Sequence, residues 1–487
     1  MLRKLFKSRS EKTHSGNKRD DGSTNRADAS VSSRNLLSDD PLLIDLHADN
    51  VTVVARDQHC ISRKNISPSA LKVLYKLDAE GFQAFLVGGS VRDLLMGGIP
   101  KDFDIATSAT PEQLRALFRN ARIIGRRFKI VHIRFGREII EVTTFRAHHQ
   151  PEQISRDKGR KALKNLDSAH SSAGMILRDN VYGDINEDAL RRDFTVNALY
   201  YTIRNFVILD FSSGLDDLEN RLIRIIGDPV TRYKEDPVRM LRAVRFSAKL
   251  NFDIAPETRA PIDTLAELLE SIAPARLFDE TLKLLSSGYG EKTFALLQEF
   301  RIGQYLFPTT LECIAQADVP ESGLVKLALR NTDRRIAADK SVTPAFLFAA
   351  LLWPVLRREL GHSLSNQQPG IQELQHLSNK VITDQLAFTA IPKRFTIAIR
   401  EIWELQVRLQ RRNRRSVLSA FQHPRFRAAY DFLLLREESG EDLNNLGDWW
   451  TEYQQADSTR QESMVNALGG QRRKNRRPRR KRREPGP

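Results

Sequence analysis

The chain has 487 residues, 40% hydrophobic and 28% charged, a composition that suits several folded domains and excludes a fibrous or wholly low-complexity chain. Its two cysteines, Cys60 and Cys313, stand far apart, which excludes a disulfide framework or a cysteine zinc site; the longest apolar run, Phe346–Trp353, falls short of the roughly 18 residues of a membrane span. Of the net charge of +16, residues 471–487 carry +9, so the expected partner is a polyanion, nucleic acid ahead of membrane.

Residues 1–55 are rich in Ser, Asn, Asp and Lys and read as a disordered segment. Met1–Lys7 is basic but no signal-type core follows, so a cytoplasmic, reducing location is expected. Leu71, Leu74, Tyr75 and Leu77 follow a Ser-Pro-Ser start at helical spacing. Ala84–Val87 then reads as a strand and Gly88-Gly89-Ser90 as a tight turn. A short helix follows over Val91–Met96, and a second strand over Asp102–Ala106. Asp102 and Asp104 lie two apart, so both carboxylates should project from one strand face. They repel each other unless a hard, oxygen-liking cation such as Mg²⁺ joins them. A glycine turn beside such a pair suits a triphosphate, whereas G-x-G-x-x-G, the dinucleotide signature, is absent.

Thr110-Pro111-Glu112-Gln113 is a helix start with its cap. Lys129–Phe135 and Glu138–Phe145 read as a hairpin across Gly136-Arg137, with Ile139, Glu141, Thr143 and Phe145 on one face. Glu141 is the expected third acidic residue of the site. His148 to Gly174 is polar and aperiodic and reads as a long mobile loop; His148, His149 and His170 have no companion ligands, so a metal reading is rejected. Leu190–Tyr201 reads as a helix with Arg191, Arg192 and Asp193 at one end. Tyr233–Phe246 reads as another, capped by Asp236 with Pro237 in its first turn and Arg239, Arg242 and Arg245 in a stripe. From about residue 255 the spacing is helical almost throughout, and Trp449, Trp450 and Tyr453 read as packing residues.

Gly88, Gly89, Arg92, Asp93, Asp102 and Asp104 form the pattern G-G-S-V-R-D followed by D-F-D. In this the sequence resembles the head of the class II nucleotidyltransferases, the bacterial poly(A) polymerases and CCA-adding enzymes. Arg191-Arg192-Asp193-Phe194-Thr195-Val196-Asn197-Ala198 is similar to another shared motif, and there the arginines approach the triphosphate and the aspartate shapes the ribose and metal side. Leu209–Leu218, with Asp210, Gly214 and Asp217, resembles the flexible head–neck connector. Glu235, Asp236, Arg239 and Arg242 match the residues with which these families read the nucleobase edge. A carboxylate on the strand of Glu141 is also a shared feature.

The expected fold class is therefore α+β: a small mixed α/β nucleotidyltransferase head (56–190), then an all-α neck (191–275), a helical RNA-binding body (276–460) and a disordered Arg-rich tail (461–487). The resemblance implies that an RNA 3′-hydroxyl attacks the α-phosphate of ATP and pyrophosphate leaves, with two Mg²⁺ (Mn²⁺ a substitute) at Asp102 and Asp104. Catalytic roles are expected for Asp102, Asp104, Glu141 and Asp193. The segments Cys60–Asn65 and His423–Arg436 and the basic end resemble the poly(A) polymerase branch, with CCA addition to tRNA as the alternative. Arg472, Arg473, Lys474, Arg476, Arg477, Arg479, Arg480, Lys481, Arg482 and Arg483 are expected to contact RNA phosphates. The family also implies RNA-decay machinery as a partner.

Overall fold

The computed structural model describes residues 51–125, 129–147, 153–154, 168–171, 176–179, 181–316, 321–363, 370–411 and 413–469. The N-terminal segment to residue 50 and the Arg-rich end lie outside them, as do His148 and His149. The chain divides into two compact units, one reaching residue 268 and the other beginning at 269.

In the first unit the elements are β1 (Thr52–Val54), α1 (Pro68–Ala79), β2 (Ala84–Val87), α2 (Gly89–Leu95), β3 (Asp104–Thr107), α3 (Pro111–Leu117), β4 (Ala121–Ile124), β5 (Ile130–Phe135) and β6 (Glu138–Thr144). After these come β7 (Gln153–Ile154), β8 (Ser168–Ser171), β9 (Ile176–Asp179), α4 (Ile185–Arg191), β10 (Leu199–Tyr201), β11 (Ile208–Asp210), α5 (Gly214–Asn220), β12 (Leu222–Ile223), α6 (Pro229–Glu235), α7 (Val238–Leu250) and β13 (Asp253–Ile254). Eight strands form one mixed sheet in the order β1-β11-β10-β2-β3-β6-β5-β4, in which only β3 and β6 run parallel.

Local chemistry starts these elements where the sequence expects it. Ser67 Oγ accepts from the Ser69 and Ala70 amides and Pro68 fills the first turn, so α1 begins there and buries Ala70, Val73, Leu74 and Leu77. Thr110 and Gln113 form the reciprocal cap of α3. On one sheet face Phe85, Val87, Ala106 and Tyr200 pack with Ile185 and Ala189 of α4. On β6 the alternate residues Ile140, Val142 and Thr144 are buried, which leaves the Ile139–Glu141–Thr143 side more open.

Five expectations are corrected. Leu190–Tyr201 is not one helix: α4 ends at Arg191, a 3₁₀ turn spans Thr195–Asn197, and Leu199–Tyr201 is a strand inside the sheet. The expected loop at 148–174 carries β7 and all of β8, and β8 pairs with β7 on one side and β9 on the other in a small three-stranded sheet. The main sheet takes in β10 and β11, so it runs past the expected end of the head at 190. The expected flexible connector is a locked corner: Asp210 accepts from the amides of Ser212, Gly214 and Leu215, and Asp217 accepts from Thr195 Oγ1 at 2.7 Å. Tyr233–Phe246 is two helices, with Asp236 ending α6 and without a side-chain cap on α7. Among the described residues no helix is long and apolar enough to cross a membrane.

The second unit is helical, with α8 (Pro274–Leu285), α9 (Gly290–Glu299), α10 (Pro308–Gln316), α11 (Glu321–Ala337), α12 (Pro344–Leu351), α13 (Trp353–Ser363), α14 (Ile371–Leu386), α15 (Lys393–Gln410), α16 (Arg414–Phe421), α17 (Phe426–Glu438), α18 (Leu446–Gln455) and α19 (Ser458–Gly469). Trp450 and Tyr453 are fully buried in a core with Leu405, Leu409, Val417 and Tyr430, and Trp450 Nε1 donates to the Leu409 carbonyl at 3.1 Å. They pack, as their sequence spacing suggests.

Candidate active site

The register of the sheet builds the site. Tyr200, Val87, Asp104, Glu141 and His132 stand directly opposite one another across β10, β2, β3, β6 and β5. Directly opposed residues share a sheet face, so this row passes from an apolar half into two adjacent carboxylates. Asp102 lies just ahead of β3 rather than on it. Phe103 between the two aspartates is buried, Asp102 is exposed and Asp104 half-buried, so the alternation that places both carboxylates together still holds. Glu141 also lies 3.2 Å from His132 Nε2.

Burial, the charge of Glu141 and, more weakly, that of Asp102 push the Asp104 carboxyl up to about 6, while Arg192 pulls the other way. Gly88 forms the turn from β2 into α2 with φ +72°, a conformation only glycine adopts readily. A Cβ built there would stand 3.7 Å from Asp104 Oδ2 and 3.8 Å from Arg192 Nη1, so the turn, the carboxylate and the guanidinium meet at one corner.

Arg192 is held from behind. Its Nε donates to the Tyr200 hydroxyl at 2.7 Å and its Nη2 to Asp188 Oδ2 at 3.1 Å. A second group of arginines surrounds the end of α4. Arg191 Nη1 donates to the Ala147 carbonyl at 2.8 Å, and Arg232 Nη2 donates to the carbonyls of Arg191 and Arg192 at 2.6 Å each. Arg239 Nη1 reaches Glu235 Oε2 at 2.8 Å, and Arg242 pairs with Asp193. Burial, helped by neighbouring arginines, pushes Arg191 and Arg232 down to about 10. Burial would raise Asp193, but Arg242 and Arg239 outweigh it and hold the carboxyl below its usual range. Buried arginines gathered this closely carry charge that a polyanionic ligand would offset.

The expected residues thus fall in three groups. Asp102, Asp104, Glu141, Gly88 and Arg192 share the corner; Arg191, Asp193, Glu235, Asp236, Arg239 and Arg242 gather around α6 and α7. Arg92 differs: it is 1% exposed, and Nε and Nη2 donate to Asp93 Oδ1 while Nη1 donates to Asn197 Oδ1. With Lys249 also 3.7 Å from Asp93, this pair braces α2 to the 3₁₀ turn and α7, and Gly89 lets the Arg92 guanidinium lie close. The basic residues 472–483 lie outside the described residues. Sequence reasoning missed Arg146, Arg232, Asp188 and Tyr200. Arg232 lies one position before the Tyr233–Phe246 motif, and all four look like ordinary surface or core residues until the chain is folded.

Among the described residues no three His, Cys, Asp or Glu side chains are set to hold a metal ion. The donor set nonetheless fits Mg²⁺, which keeps several waters and uses one or two carboxylates together with substrate phosphates. The Asp104 carboxyl is raised by burial first, with Glu141 and Asp102 adding negative charge that a cation there would offset.

Comparison with known proteins gives three family matches: "Poly A polymerase head domain" over residues 84–224, "Probable RNA and SrmB- binding site of polymerase A" over 251–313, and "Polymerase A arginine-rich C-terminus" over 366–484. The chain is 48% identical over 441 residues to poly(A) polymerase I of Escherichia coli O157:H7, covering 88% of this chain and 92% of that protein. It is 35% identical over 235 residues to the CCA-adding enzyme of Lactobacillus helveticus, covering 48% and 54%. A solved tRNA nucleotidyltransferase, complexed with a primer tRNA and an incoming ATP analog, shares the fold with a TM-score of 0.51 at 20% identity, over 79% of this chain and all of that one.

Proposed function

We infer the chemistry from one premise: the chain belongs to the bacterial poly(A) polymerase I family, template-independent adenylyltransferases that add AMP from ATP to RNA 3′ ends. The observation that carries the site assignment is the pairing of Asp104 against Glu141, with Arg192 at the same corner.

In this reading Asp102 and Asp104 would hold Mg²⁺, with Mn²⁺ as a substitute. Bound there, the cation would supply positive charge to the attacking oxygen and the leaving phosphate. Arg192 and Arg191 receive the triphosphate, where their charges offset the negative charge that grows on the departing pyrophosphate. Gly88 and Gly89 let the backbone approach the phosphates. Glu141 holds negative charge beside Asp104 and orients the metal side. The bond formed joins the RNA 3′-oxygen to the α-phosphorus; the bond broken joins that phosphorus to the β-phosphate bridging oxygen. Asp193 is braced by Arg242 and faces the sugar side. Glu235, Asp236, Arg239 and Arg242 would supply the donors and acceptors that read the adenine edge, the arginines as planar forks of donors. Arg92 and Asp93 act by holding α2.

The partner is RNA with a 3′ end. The residues 472–483 add sequence-blind phosphate contacts, and the enzyme works in the cytoplasm beside RNA-decay machinery. Incubation with labelled ATP and an unstructured RNA tests the reading. A growing ladder of products supports polymerisation; one adenosine added only after CC on tRNA would mean a CCA-adding enzyme; no product would leave an RNA-binding protein with an inactive head.

A further inference from the structure

We propose that Tyr200 and Asp188 are positioning residues of the transfer site, fixing the Arg192 guanidinium so that Nη1 is presented at the Asp104–Gly88 corner. The proposal rests on the reading of Asp104 and Arg192 as site residues.

Three hydrogen bonds define the arrangement. Arg192 Nε donates to the Tyr200 hydroxyl at 2.7 Å, the hydroxyl donates to Asp188 Oδ2 at 2.7 Å, and Arg192 Nη2 donates to the same Oδ2 at 3.1 Å. Only one polarity is allowed. A guanidinium has no acceptor, so the tyrosine oxygen must accept from Arg192 and send its own proton to the carboxylate. Burial holds the Tyr200 hydroxyl well above its ordinary range, which keeps that proton in place.

Each anchor is itself immobile. Asp188 Oδ1 accepts the Arg146 backbone amide at 3.2 Å, so the carboxylate cannot turn. Tyr200 is fully buried on a central strand, with its ring 5.9 Å from Phe85 and 5.6 Å from Phe211 in edge contacts. Its ring also lies under the guanidinium, 4.9 Å from Cζ. A long, flexible arginine is thereby reduced to one orientation, with two nitrogens committed behind it and Nη1 turned to the corner. Positioning is worth rate because a displacement of about 1 Å of a charge at the reacting phosphates can cost on the order of 100-fold. A network serving the fold alone would affect stability and leave the use of ATP unchanged.

The test compares full-length Y200F, D188N, R192K and the double variant Y200F/R192K. The measurements are kcat/KM for ATP, inhibition by inorganic pyrophosphate, RNA affinity and thermal melting; D104A is the control. Y200F should lose on the order of 10-fold or more in kcat/KM for ATP and weaken pyrophosphate inhibition, with RNA affinity unchanged. Adding Y200F to R192K should cost nothing further, because the arginine through which Tyr200 acts is already altered. Wild-type kinetics in Y200F, or losses that multiply in the double variant, overturn the proposal. If Y200F does not fold, D188N decides between the same two outcomes by the same measurements. An active D104A would instead sink the site assignment itself, an outcome separate from failure of the positioning role.

Discussion

Asp104 carries the sharpest conflict of any single residue at the site. Its carboxyl titrates near 6 when folded against 3.8 in its ordinary state, so between these values the folded chain binds more protons than the unfolded one. Stability therefore falls as pH rises from about 4 to about 6, and the loss persists above that. Without divalent cations, Asp104→Asn should raise stability at neutral pH by up to about 3 kcal/mol, and by almost nothing near pH 4. Melting curves in a chelator at the two pH values check this; equal effects at both would show that burial and the neighbouring carboxylates do not raise Asp104. Asp102→Ala and Asp104→Ala should each abolish AMP incorporation while leaving RNA binding intact, a loss of several kcal/mol of barrier. Retention of a tenth of normal turnover would refute the assignment. Arg239→Ala should weaken both ATP affinity and the choice of ATP over CTP, by on the order of 1–3 kcal/mol. Weaker binding with unchanged selectivity would place Arg239 in packing or phosphate contact, where its bond to Glu235 would then matter most.

Elements explain where the sequence is readable and where it is not. The strand–turn–helix from Ala84 to Leu95 is legible because glycines, an apolar tetrad and a helix stop all act locally. The Leu190–Tyr201 stretch misleads because Phe194, Ala198, Leu199 and Tyr201 are buried whichever structure they adopt, so helical spacing cannot be told from a buried strand. Only pairing with β2 and β11 decides it. The Asp210–Asp217 stretch looks mobile in sequence because its polar residues resemble a loop; folded, they are tied to backbone amides and Thr195. Gly214 shows how tightly, since a Cβ there would lie 2.3 Å from the Thr195 carbonyl oxygen. Gly214→Ala should therefore destabilise the head by several kcal/mol, visible as a lowered melting temperature, because backbone must shift. An unchanged melting temperature would show that the corner yields.

At the scale of the whole molecule, net charge is the most informative feature, and residues 471–487 carry most of it. Truncation after Gly470 removes +9 of the +16 charge. The melting temperature and the chemical step at saturating RNA should be unchanged, while RNA affinity falls. The slope of log affinity against log salt should flatten by about 0.7 for each single-strand phosphate that the shortened chain no longer neutralises. Products should shorten at sub-saturating RNA. An equal salt slope in both forms would mean that the grip on RNA lies in the helical body. The arginine crowding around α4, by contrast, is invisible to charge counts, since Arg146, Arg191, Arg232 and Arg239 come from separate parts of the chain.

The single parallel pairing in the main sheet has a kinetic consequence. Asp104 and Glu141 face each other only after the chain between β3 and β6, which contains α3, β4 and β5, has closed into a loop. Closing it costs about 3 kcal/mol of chain entropy before the strand contacts return anything. The β5–β6 hairpin and the first helix need no such closure and can form early. During refolding, catalytic competence should consequently emerge as a slower phase than the recovery of helix.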